Sequence, residues 1–156
     1  MSSPGPAALA ALATMALALA GCGSDSEGEG LAAGCANREQ IAGALQGAPG
    51  AVSLETGTTI SGCGNSARSD ADLMTLGFAI TAVADRLAEE GRGGDRQAAL
   101  QLGFLVGAAD RGASNSQGIQ SELAYRLESS ARRIETAGPQ ARAAFEEGRS
   151  AGRRQG

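Results

Sequence analysis

Apolar residues recur at helical steps through most of the second half of the chain. Leu73, Leu76, Ile80, Val83 and Leu87 follow one another at intervals of three and four, so they share one face of a helix. Ser69 and Asp72 form a capping box at its head, and Gly91 marks its end. A second periodic stretch opens on Asp95 as cap and carries Leu100, Phe104 and Ala108, with Leu102 and Val106 on another side. Being apolar around much of its circumference, it is expected to be the most buried helix of the domain. A third stretch runs from Ser114 and Gln117 through Ile119, Leu123, Leu127, Ala131 and Ile134 to a stop at Ala137, Gly138 and Pro139. Ahead of these, Asn37 and Gln40 cap a short helix through Ile41 and Leu45, which stops at Gly47, Ala48, Pro49 and Gly50. Residues 51–64 are rich in Val, Leu, Thr and Ile around Gly57, a pattern that predicts a short irregular hairpin. Short connections favour antiparallel neighbours, so the expected fold is all-α, a small antiparallel bundle of about four helices.

The amino-terminal pattern is of another kind. Residues 7–20 read AALAALATMALALA, without a charge, which suits the core of a signal peptide and is too short to span a bilayer comfortably. The run ends in Leu19, Ala20, Gly21 and Cys22, and here the chain resembles the bacterial lipoproteins, whose signal peptides end in Leu, a small residue, Gly or Ala, and then Cys. The resemblance covers residues 1–22. It implies that residues 1–21 are removed, that Cys22 receives a diacylglycerol thioether, and that the new amino terminus is open to acylation. Residues 1–6, MSSPGP, depart from that family in carrying no Lys or Arg. Two or three acyl chains hold a protein on a membrane effectively permanently, because each buried methylene contributes about 0.8 kcal/mol. The expected location is the extracytoplasmic face of the cell membrane, with membrane lipid as the partner engaged through Cys22.

Beyond Cys22 the composition turns polar. Residues 22–34 begin CGSDSEGEG, an acidic Gly/Ser segment with little to bury, and read as a flexible tether that keeps the folded part near the membrane. With Cys22 taken by lipid, Cys35 and Cys63 remain. An even pair in an exported chain reads as a disulfide, which closes that loop and stabilises the fold by about 3.6 kcal/mol in the chain-entropy model. The folded domain is therefore expected over 35–137. Residues 138–156, in which Phe145 is the bulky apolar residue and Arg142, Arg149, Arg153 and Arg154 outnumber Glu146 and Glu147, read as a short helix fraying into a basic tail. That tail is either solvated or touches anionic lipid or cell-wall polymer.

Charge and chemistry narrow the function. Thirteen cations against 17 carboxylates give a net charge of −4, so no basic field is present to gather nucleic acid. Histidine is absent, which removes the Ser-His-Asp and Cys-His arrangements, and two cysteines without histidine supply too few ligands for zinc. No metal or other cofactor is expected, and no catalytic residue is assigned. The carboxylate pairs Asp70 with Asp72 and Glu89 with Glu90 read as helix-end and surface charge. Glu122 with Arg126 and Glu128 with Arg132 match ion pairs one helical turn apart. Gly103 and Gly107 form a G-x-x-x-G pattern that implies close packing of their helix against the one before or after it.

These readings favour a membrane-tethered, non-enzymatic helical interaction module that binds another envelope protein or itself. A small-ligand carrier with a cavity between the three long helices is the alternative, and an enzyme of unrecognised type stands third. A lined cavity would favour the carrier, an exposed apolar patch the interaction module, and a buried perturbed carboxylate in a cleft the enzyme.

Overall fold

The computed structural model describes Met1, residues 30–115 and residues 121–156. The uncharged run at 7–20, Cys22 and most of the tether lie outside the described residues, as do Gln117 and Ile119. Six helices follow in order: α1 (Arg38–Ala44), α2 (Ile60–Ser66), α3 (Asp70–Arg92), α4 (Arg96–Asn115), α5 (Ser121–Ala131) and α6 (Pro139–Gln155), with short 3-10 turns at Leu45–Gly47 and Arg132–Thr136. The protein is all-α, a helical bundle with one disulfide.

Local caps explain most helix starts. Asn37 Oδ1 accepts from Gln40 N at 3.0 Å at the head of α1. Ser69 and Asp72 exchange both bonds of a capping box at α3, each 3.1 Å, and Asp95 Oδ1 accepts from Gln97 N and Ala98 N at 2.8 and 3.0 Å before and within the first turn of α4. The turn between α3 and α4 passes through Gly94 at φ +104°, a left-handed value that glycine adopts without a Cβ clash. Two expected elements differ. The hairpin at 51–64 reduces to one antiparallel bridge between Ser53 and Thr59, because Thr59 Oγ1 accepts from Gly62 N at 3.1 Å and starts a helix there instead. Cys63 therefore lies on α2. Ser114 does not open a new helix; its Oγ donates to Asp110 O at 2.8 Å inside the last turn of α4.

Helix α4 is the centre of the molecule, touching α2, α3, α5 and α6 and burying residues 98–109. Leu76, Ile80, Val83 and Leu87 from α3 and Leu127 from α5 are buried with it, as the periodicity requires, while Leu123 is only half-buried. Ser130 and Arg133 bond to Asp85 and Glu89 in register, so α5 and the turn after it run parallel to α3.

The carboxyl-terminal segment corrects the expectation for 138–156. Instead of fraying, it forms a 17-residue helix laid along α4, with Phe145 only 7% exposed. Glycine makes this possible. A Cβ on Gly103 would overlap the Phe145 carbonyl oxygen and stand 2.9 Å from Arg149 N, and Gly107 meets the backbone of Arg149 and Arg153 in the same way. From α6, Gly148 and Gly152 press on the carbonyls of Leu100 and Phe104, and Gly156 on Ala108. Those pairs advance together by one helical turn, so α4 and α6 are parallel and in backbone contact, the close approach that small residues at four-residue spacing permit. The G-x-x-x-G of α4 thus packs on α6 rather than on the helix before or after it.

Ion pairs hold the same joint. Arg149 bonds to Asp110 at 3.2 Å and to Glu128, and Arg153 to Asp110 at 2.8 Å. Glu128 is thereby joined to α6 instead of to Arg132, which lies in the 3-10 turn after α5. Arg149 is thereby turned toward the fold, while Arg153 bonds to Asp110 with half of its side chain still exposed.

Candidate functional site

The stripe that buries α3 also decides what α3 leaves outside. Leu76, Ile80, Val83 and Leu87 take the inner face, so Met74 and Phe78, one turn apart, fall on the flank. Met74 is 61% and Phe78 69% exposed, and Tyr125 on α5 is 63% exposed. Between them Gly77 leaves a notch, with nothing near the position a Cβ would occupy. The result is an open cleft of about 290 Å³ between α3 and α5, lined by Leu73, Met74, Gly77, Phe78 and Leu123, with Glu122 and Arg126 on one rim. Arg126 Nε bonds to Glu122 Oε1 at 2.8 Å, so the rim neutralises its own charge.

The amino-terminal approach to the domain reaches the same end of α3. The Asp72 carboxylate is held below its ordinary range by the Ser69 side chain first, then by the Arg68 and Ser69 backbone N–H groups and that of Leu31, against the opposing effect of burial. Leu31 is partly buried against the core. Ala32 N donates to Ser66 Oγ at 3.0 Å, and the disulfide follows at once, Cys35 and Cys63 being fully buried with Cα atoms 5.5 Å apart.

The remaining candidate groups are occupied with one another. Glu89 bonds to Arg92 at 2.8 Å and to Arg133 at 3.1 Å; these bonds, led by that to Arg92, depress its carboxyl and raise the Arg92 guanidinium. Glu90 pairs with Arg86 at 3.1 Å. Asp72 serves the α3 cap, so neither Asp70 with Asp72 nor Glu89 with Glu90 forms a facing pair in a cleft. Among the described residues, no three metal-ligating side chains cluster, and no helix is long and apolar enough to cross a membrane. Of the assigned site residues, Cys35 and Cys63 are brought together and Cys22 lies outside the described residues. Met74, Phe78 and Tyr125 were not singled out as a surface; the available signal was two large apolar residues at i and i+4 beside an already complete stripe. Comparison with protein-family models, curated proteins and solved structures gives no match.

Proposed function

We propose that this chain is an exported lipoprotein, tethered through Cys22 to the extracytoplasmic face of the cell membrane, whose helical domain is a non-enzymatic interaction module. The observation that carries the tether is the uncharged run at 7–20 ending in Leu19, Ala20, Gly21 and Cys22. The Cys35–Cys63 disulfide supports export, since such bonds persist in oxidising compartments. The cleft between α3 and α5 supports an interaction surface, because Met74 and Phe78 expose large apolar side chains at its mouth.

The test is Cys22→Ser. The wild-type protein should partition with membranes and show the added mass of acyl chains after signal removal, and the variant should lose both. Wild-type protein whose intact mass contains no lipid would overturn the reading.

A further inference from the structure

We infer that the cleft between α3 and α5 rests on the lipid surface itself, with Met74 and Phe78 of its lining, and the exposed Tyr125 beside the rim residue Arg126 on α5, inserted at the headgroup level. The inference depends on the tether proposed above and names the partner of the same cleft. Its basis is where the chain outside the fold arrives. Ala32 N donates to Ser66 Oγ at 3.0 Å at the end of α2, Leu31 is partly buried against the core, and only residues 67–69 separate Ser66 from α3, whose first two turns carry Leu73 and Met74. Leu31 is nine positions after Cys22, a separation of at most roughly 30 Å. The lipid is thus fastened at the end of the domain that bears the exposed apolar side chains.

The side chains suit an interface rather than a dry protein core. Phe and Tyr present apolar rings, and the tyrosine hydroxyl remains in the wet headgroup layer. Glu122 and Arg126 are paired at the rim, and the first turn of α3 carries Asp70 and Asp72, so this end has no excess of positive charge to draw it to anionic lipid. The contact is therefore apolar, and salt should not release it. Three side chains would bind a membrane weakly from solution. Tethering makes their insertion an intramolecular step, in which the effective concentration set by a short linker replaces intrinsic affinity.

The chain contains no tryptophan, so single reporters are available. Phe78→Trp and Tyr125→Trp place one in the contact, and Arg92→Trp places one at the opposite end of α3, about 21 Å along the axis from position 78. Each full-length lipidated protein would be reconstituted in phosphatidylcholine vesicles with brominated acyl chains, and its Cys22 lipid confirmed by intact mass. Positions 78 and 125 should be quenched several-fold more strongly than position 92, with blue-shifted emission, at low and high salt alike. Equal or absent quenching in protein that carries its lipid overturns the membrane contact while leaving the tether standing. Contact quenched at low salt and released at high salt overturns its apolar nature. Absent quenching with cross-linking between two copies at position 78 assigns the cleft to a second molecule instead. Absence of lipid from Cys22 overturns the tether, and this inference with it.

Discussion

Glycine at position 103 and glycine at position 77 are both mid-helix, yet their surroundings oppose one another. In a helix interior, glycine is less favourable than alanine by about 1 kcal/mol, so replacing it stabilises wherever space allows. At Gly77 nothing stands within 4 Å of a Cβ position, and Gly77→Ala should raise stability by about 0.5 to 1 kcal/mol while narrowing the apolar cleft. At Gly103 the same methyl would meet the Phe145 carbonyl and stand 2.9 Å from Arg149 N, backbone atoms that move only if the whole of α6 does. Gly103→Ala should cost at least the roughly 1 to 3 kcal/mol typical of overpacking. Urea midpoints of the two variants decide the matter: a Gly103→Ala midpoint at or above that of the parent would mean that α6 does not lie on α4 as described.

At the scale of elements, the heaviest consequence falls on α6. Phe104 is fully buried and Phe145 nearly so, and truncating either to alanine should cost about 3 to 5 kcal/mol, as deletion of a buried aromatic ring does. Phe78→Ala, on the exposed flank of α3, should stay within about 0.5 kcal/mol of the parent protein. Urea unfolding of the three variants in parallel checks the ranking. The sequence made α3 and α4 legible because their burial is carried by large side chains at three- and four-residue steps and their starts by Ser69, Asp72 and Asp95. It showed a short helix after Pro139 but concealed that helix's length and burial, because α6 is buried through glycine and alanine: Ala141, Ala144, Gly148, Ala151 and Gly152 contribute almost no hydropathy, and four arginines dominate the average. The signal that was present is the spacing of Gly148, Gly152 and Gly156, which matches that of Gly103 and Gly107. The cleft was concealed for a related reason, since periodicity identifies the face that is buried and says nothing about how two helices splay at their ends.

For the molecule as a whole, the Cys35–Cys63 bond joins the amino-terminal α1 region to α2, which in turn rests on α4. Replacing both cysteines with serine should lower stability by about 3.6 kcal/mol, the loop-closure value for this separation, with the m-value rising as the unfolded chain loses its cross-link. Chemical denaturation of the wild-type and double-variant proteins, with and without reductant, would show whether the bond contributes on that scale.

The α4–α6 joint also sets a schedule. A chain delivered amino end first exposes α4 to solvent before the helix that shields it exists, and α5 lies between the two in sequence. Contacts of that range form late, because the intervening segment must be closed before any of them is rewarded. The central helix therefore keeps one flank unsatisfied until residues 139–155 have emerged. Closure of this last helix completes the burial of α4, so the fold becomes fixed only when its carboxyl-terminal element docks.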